Sequence, residues 1–359
     1  MNTLREDLHE LAAHAPDVDL ADLAIRGARR KRVVRLSLAA AVVVAGIAGG
    51  SALRFQEVRP VPPVVLSPPE TKALPLPDKG VAPVEQAYRP SCRGGCQEAG
   101  WRIVTRSGET FQVPARSGPV EASADGRRIA YYSEKDRRIV VRDLASGWIW
   151  KAPLKQPKQD FAVEYALRMS PNGLRFIVSG WGGGREPNML VDVEQGTVEQ
   201  LESGWWPVSV ADGDGPVVLA KPYDNTTKVW VRGHKPVTIP TFTYDFSALG
   251  PDGRRLVRVG QVLGHETPKV QYDGTIVTFD ALTGGAEARV PVSGIPGDLQ
   301  PAWLGGWLNA DEVTLVAVAQ SPRSDISAVA YGVNVRTGQA RKLFPIRAKG
   351  AYAVPGLVR

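Results

Sequence analysis

One phrase recurs along the chain: a turn of small and polar residues, a short apolar run, and later an acidic turn closed by glycine. Ala124-Asp125-Gly126-Arg127-Arg128-Ile129-Ala130-Tyr131 opens one copy, Ser170-Pro171-Asn172-Gly173-Leu174-Arg175-Phe176 another, and Gly250-Pro251-Asp252-Gly253-Arg254-Arg255-Leu256 a third. The turn markers fall at Asp125, Asn172, Asp214, Asp252 and, in weaker form, Asn309, at intervals of 47, 42, 38 and 57 residues. A period in this range, carrying strand-turn-strand content, marks a β-propeller, a ring of four-stranded blades.

The strands can be read off each unit. After the turn comes a second strand, such as Ile129 to Tyr132, Phe176 to Val178 or Leu256 to Val259. A third strand then ends in a polar turn with glycine: Ile139 to Asp143, Met189 to Asp192, Ile276 to Asp280 and Val333 to Val335. A short fourth strand follows, as in Val198 to Leu201 and Ala340 to Leu343. Five units leave two fragments. Trp101 to Val104 with Thr110 to Val113 reads as the outer half of a further blade, and Ala351 to Val354 as its inner strand. Joining both ends of the chain in one blade removes the open edges that invite aggregation. The expectation is therefore an all-β, six-bladed propeller, with five or seven blades as the neighbouring counts.

This phrasing resembles the WD40-like repeats of TolB-type propellers, in which an S-P-D-G hairpin precedes an I-x-V-x-D strand and a Ser/Thr-Gly turn. The resemblance covers residues 115–346, well in three units and less well in two. No Trp-Asp dipeptide occurs, so the chain departs from true WD40 repeats. It implies a fold, and such folds host many functions.

Composition agrees with a folded all-β domain: 43% hydrophobic and 23% charged residues, with 37 glycines and 29 prolines for the turns. A net charge of +7 over 359 residues is too dilute for a nucleic-acid groove, which needs a concentrated basic face. Cys92 and Cys96 are the two cysteines, around Arg93-Gly94-Gly95. Two thiols do not complete a structural zinc site. In an oxidising compartment they read as a local disulfide, with two free thiols as the alternative.

Leu36 to Leu53 carries no charge, and with Val33, Val34 and Phe55 it reaches the length that a ~30 Å hydrocarbon core demands. Arg26, Arg29, Arg30, Lys31, Arg32 and Arg35 precede it, which sets the N-terminus inside. The reading is a transmembrane helix over 33–55 in a single-pass protein of the cell membrane; a cleaved signal peptide ending near Gly50-Ser51-Ala52 is the competitor. Residues 1–32 then form a cytoplasmic head, acidic and afterwards basic. Within residues 1–25, Leu4, Leu8 and Leu11 share a helix face that would suit a cytoplasmic partner. Residues 56–91 hold nine prolines and read as an extended extracytoplasmic linker. The propeller domain occupies 92–359.

His234 and His265 stand in turn-like settings, without paired-His metal spacing, and no G-x-S-x-G occurs. Ser179 to Gly184 is glycine-rich but sits between strands, without the helix of a phosphate loop. Asp212-Gly213-Asp214-Gly215 lacks the further ligands of a calcium loop and reads as a turn. No catalytic residue, metal or cofactor is expected. Trp206, Tyr244 and Trp303 fall six to eight residues before a blade turn, at the start of an inner strand, and Tyr165 lies near that position. Such aromatics either ring a channel mouth that binds a ligand or fill the wedges between blades.

The function expected from this layout is a membrane-anchored, extracytoplasmic, non-catalytic binding or scaffold module for a protein or glycan ligand at the cell envelope. Two alternatives stand beside it. One is a transmembrane regulator with the propeller as sensor and the head as effector. Its layout resembles that of actinobacterial anti-sigma-type membrane regulators, without their zinc-binding His-Cys-Cys pattern. The other is a propeller hydrolase using Ca²⁺, which needs carboxylates converging on the channel.

Overall fold

The computed structural model describes residues 73–90, 100–116, 118–155, 164–181, 188–263, 270–319, 328–346 and 351–356. The segments read as a cytoplasmic head and a membrane span, together with Cys92 and Cys96, lie outside the described residues, as does the segment read as a linker as far as Lys72. Among the described residues every regular element is a β-strand.

The chain enters through β1 (Leu74–Pro75), β2 (Val84–Tyr88), β3 (Arg102–Thr105) and β4 (Thr110–Gln112). Blade 2 follows as β5 (Val120–Ala122), β6 (Arg128–Ser133), β7 (Arg138–Asp143) and β8 (Ile149–Lys151). Blade 3 is β9 (Glu164–Met169), β10 (Arg175–Trp181), β11 (Met189–Asp192) and β12 (Thr197–Gln200). Blade 4 is β13 (Trp206–Val210), β14 (Val217–Tyr223), β15 (Thr226–Val231) and β16 (Val237–Ile239). Blade 5 has β17 (Arg255–Leu263), β18 (Val270–Asp280) and β19 (Ala288–Pro291), and its inner rung is a lone bridge from Phe246 to Arg258. Blade 6 is β20 (Leu299–Trp307), β21 (Glu312–Ala319), β22 (Ala328–Asn334) and β23 (Ala340–Ile346). Finally β24 (Tyr352–Ala353) pairs with β2, giving blade 1 the order β1-β4-β3-β2-β24. Six sheets make six blades, and the sixth-blade fragments join as the repeat count requires.

Packing closes the ring as well as hydrogen bonding does. Each apolar cluster among the described residues spans two adjacent blades. Val84 and Ile103 meet Ile129 and Val140 between blades 1 and 2. Tyr132 meets Phe176, Ile177 meets Leu219, and Phe246 meets Val218 and Val229 at the next three seams. Val259 meets Leu315, and Tyr352 meets Val316, at the last two. The hydrophobic faces of the sheets are thus buried by neighbours rather than by a central core, as radial repetition of one unit demands.

The repeated turn owes its shape to side-chain capping. Asp125 Oδ1 accepts the Arg127 N–H at 2.9 Å, Asn172 Oδ1 that of Leu174 at 2.9 Å, and Asp252 Oδ1 that of Arg254 at 3.0 Å. These are Asx turns, which Asp and Asn form at little cost. Gly126 has a φ of 75°, and a side chain there would also meet the Val84 carbonyl at 2.3 Å. Only glycine suits that position. The arginine after the turn reaches onward to the next blade. Arg128 donates to the Asn172 carbonyl, Arg175 to the Gly215 carbonyl at 2.8 Å, and Arg255 to the Ala310 carbonyl at 2.9 Å. One phrase therefore shapes a hairpin and spaces two blades.

One boundary needs correction. β1 and β2 lie inside the 56–91 segment that its prolines mark as linker, so the propeller begins by Leu74 rather than at residue 92. Val84 to Tyr88 is buried on both faces, and its strand carries no alternation to reveal it. Pro77 and Pro83 stand in the connection before β2, where no ladder hydrogen bond is lost.

Candidate functional site: one end of the channel

The inner strands run in one direction, so their last residues and the turns after them gather at one end of the channel. Ala122, Met169, Val208, Val210, Leu249 and Gly306 line a cavity there of about 90 Å³. Pockets for drug-sized ligands begin near ~300 Å³, so this cavity is too small for one. Glu121 and Arg168 are the charged residues on its wall.

The opposite end, where the inner strands start, has another character. Trp206 is the first residue of β13, and Tyr244 lies two residues before the Phe246 bridge. Their rings stand edge-on, 5.6 Å apart at 70°, and Phe242 packs on Tyr244 at 5.5 Å and 90°. Such pairs each contribute about 0.5–1.5 kcal/mol beyond the area they bury. Tyr244 remains 39% exposed. Arg168 joins the two ends. Its guanidinium lies 5.9 Å over the Trp206 ring, and its Nη1 donates to the Leu167 carbonyl at 3.0 Å.

Asp245 belongs to this end too. Burial pushes its carboxyl up to about 6, and the positive charge of Arg168 pulls it back only in part. Its carboxylate has no hydrogen-bond or ion-pair partner among the described residues. Tyr272 feels that charge: burial, and then the negative Asp245, push its hydroxyl up to about 12. The Tyr272 hydroxyl lies 3.5 Å from the Ala302 carbonyl of β20. Blades 3 to 6 thus each bring a residue to this region.

The stretch that carries Tyr244 and Asp245 is held by hydroxyls in place of a full ladder. Thr227 Oγ1 accepts the Thr243 N–H at 3.0 Å, and Thr243 Oγ1 accepts the Asp245 N–H at 3.0 Å. Ser247 Oγ accepts the Val257 N–H at 3.0 Å. Threonine and serine supply backbone partners where the strand pairing lapses.

Of the four aromatics singled out from spacing, the structure brings Trp206 and Tyr244 together. Trp303 goes elsewhere: it packs in the wedge between blades 6 and 1, 5.9 Å from Tyr352 in an edge-on pair. Tyr165 lies on β9, and its side chain is outside those described. Sequence reasoning missed Phe242, Arg168, Asp245 and Tyr272. No clean signal marked the two charged ones, since Arg168 shares β9 with Glu164 and Asp245 lies among Thr241, Thr243 and Ser247. Asp212 is a turn residue: its Oδ1 accepts the Asn172 N–H at 2.9 Å, from the neighbouring blade. Among the described residues no group of three or more His, Cys, Asp or Glu is placed to hold a metal ion. No described helix is long and apolar enough to cross a membrane.

No protein-family model matches the chain, and no curated protein matches it. Solved structures of similar fold include TolB from Acinetobacter baumannii, with a TM-score of 0.46 and 16% identity over 75% of this chain and 65% of that one. A putative TolB from Agrobacterium tumefaciens has a TM-score of 0.46 and 13% identity, over 76% and 89% of the two chains. The uncomplexed acylaminoacyl peptidase of Pyrococcus horikoshii gives 0.44 and 14%, over 73% of this chain and 45% of that one. The chain spans less than two thirds of the Acinetobacter protein. At these identities the likeness is one of fold.

Proposed function

We propose that this chain is a membrane-anchored, extracytoplasmic propeller that binds a protein or glycan ligand at the aromatic end of its channel, as a non-catalytic binding or scaffold module of the cell envelope. The observation that carries the reading is the edge-on pair of Trp206 and Tyr244 at the end where the inner strands start, with Tyr244 left 39% exposed and the shifted carboxyl of Asp245 next to it in the chain. Ligand sites pair apolar and aromatic walls with a few placed polar groups, and a strongly shifted carboxyl in a cleft is a further mark of one. The membrane part is supported by the uncharged run from Leu36 to Leu53 and the basic residues before it.

The test is photo-cross-linking in intact cells, with the reactive group placed at residue 244 or, as a control, at residue 148 on the rim of blade 2. A discrete adduct from 244 that is absent from 148 supports the reading. Equal labelling from both positions overturns the channel end as the binding site. Protease added outside should cleave residues 92–359 in intact cells; protection there until lysis would refute the topology.

A further inference from the structure

The seam that closes the ring, between blades 6 and 1, departs from the repeat at the turn end. In blades 2, 3 and 5 the arginine three residues after the Asx residue reaches across to the next blade: Arg128, Arg175 and Arg255 each donate to a carbonyl there. In blade 6 Asn309 Oδ1 accepts the Asp311 N–H at 2.9 Å, so the matching position is Glu312. A carboxylate has no proton to donate to a carbonyl, and the tie cannot form. Glu312 turns back on its own blade instead, meeting Arg341 Nε at 2.6 Å and Nη2 at 3.0 Å. Two strands at this seam are bulged as well. Glu85 of β2 and Leu343 of β23 have no residue opposite them, and a bulge bends its strand and re-aims the side chain it carries.

Where the tie is missing and both bulges lie, a cavity of about 300 Å³ opens, a volume at which small-molecule pockets begin. Leu308, Leu343, Phe344 and Val354 supply apolar lining. Its charged residues are Glu85, Arg106, Arg341 and Lys342. Arg341 is neutralised by Glu312, whereas Arg106, Lys342 and Glu85 have no ion-pair partner among the described residues. These unpaired charges leave the wall with one positive charge in excess. We propose that this seam is a second binding site, for a small ligand bearing one carboxylate on an apolar body, with Arg106 and Lys342 as its counter-charges and Leu308 and Phe344 as its wall. Glu85 holds the excess to one charge, which a monoanion matches and a dianion exceeds. The site lies at the turn end, away from Trp206 and Tyr244, and stands independently of the aromatic end.

Three compounds of one shape and different charge test it on the full-length protein: 3-phenylpropanoate, 3-phenylpropan-1-ol and 3-phenylpropylamine. Binding is read by saturation-transfer NMR and calorimetry at neutral pH. Exposed counter-charges are each worth little alone, so the acid should bind about tenfold more tightly than the alcohol, with the amine weakest. The double variant Arg106→Gln, Lys342→Gln should bring acid and alcohol to equal affinity. Leu308→Ala should weaken both together, and Tyr244→Ala should leave both unchanged. A thermal melt confirms that each variant folds. The proposal is overturned if the alcohol or the amine binds as well as the acid, or if the acid keeps its preference in the double variant. It is overturned too if no compound shows saturable binding that Leu308→Ala alters. Loss of acid binding in Tyr244→Ala alone would move the ligand to the aromatic end and remove it from this seam.

Discussion

The two ends of the channel are built from the same inner rungs of the six blades, yet they differ in what holds them. At the turn end the repeated phrase sets the structure: Asx turns shape the hairpins of blades 2, 3 and 5, glycine at 126 allows close approach, and arginines tie one blade to the next. The opposite end lies outside the phrase. There the residues are particular to each blade, and Asp245 sits at an energetic cost. The turn end is where the sequence repeats itself because structure requires it. The other is free to differ because the repeated phrase does not reach it, and binding residues concentrate where the scaffold leaves such freedom.

That contrast can be broken or sharpened by substitution. The largest effect should come from the turn end. Gly126→Ala places a Cβ 2.3 Å from the Val84 carbonyl and forces a positive φ on alanine. We expect a loss of about 3 kcal/mol, read as a clear drop in denaturant midpoint. A loss under about 1 kcal/mol would mean that blades 1 and 2 are not tightly tied there.

Asp245→Asn should act in the opposite direction. The folded-state value of about 6 lies above the ordinary 3.8 of the carboxyl, so the folded protein holds this proton more tightly than the unfolded chain. The group's stabilising contribution is then complete below about pH 4 and is lost as pH rises through about 6. Asparagine removes that loss. The variant should be more stable at neutral pH by up to about 3 kcal/mol, with the gain disappearing near pH 4. Equal melting temperatures at neutral pH would show that Asp245 has a partner.

The smallest effect should belong to Tyr244→Ala. A partly exposed ring at the mouth contributes an edge-on pair with Trp206 and little buried area, so the loss should stay near 1 kcal/mol. Trp303→Ala is its internal control, because that ring fills a wedge between blades and its removal should cost about 3 kcal/mol. Similar losses at the two positions would erase the distinction between a ligand wall and packing.

Much of the fold was legible because its signals are local. The turn at Asp125 and the polar-glycine turn after Asp143 each announce themselves within a few residues, and their spacing carries the blade. Closure by Tyr352 and Ala353 followed from counting strands. Val84 to Tyr88 was hidden, since a strand buried on both faces shows no period and its flanking prolines mimic a spacer. The site was less legible for a geometric reason. Spacing from the turn places Trp206, Tyr244 and Trp303 at similar heights but does not tell which face each side chain takes. β20 shifts register between Pro301 and Trp303 and again between Leu304 and Trp307, and a bulge re-aims the side chains beside it. Asp245 escaped because its significance lies in a missing partner, which only the assembled neighbours of blades 3 to 6 can show.

The way blade 1 is assembled has a mechanical side. A pull on the chain from before Leu74 reaches first the two residues of β1, which lie parallel to β4. Next in line are the bond from the Leu76 N–H to the Gln112 carbonyl and that from Arg142 to the Pro77 carbonyl, then those from Gly80 and Val81 to the Ala145 and Leu144 carbonyls of blade 2, and only then β2. Slipping β1 and that strap would release the stretch from Leu74 to Val84, on the order of 30 Å of slack, before any strain reached the strand that locks the ring shut.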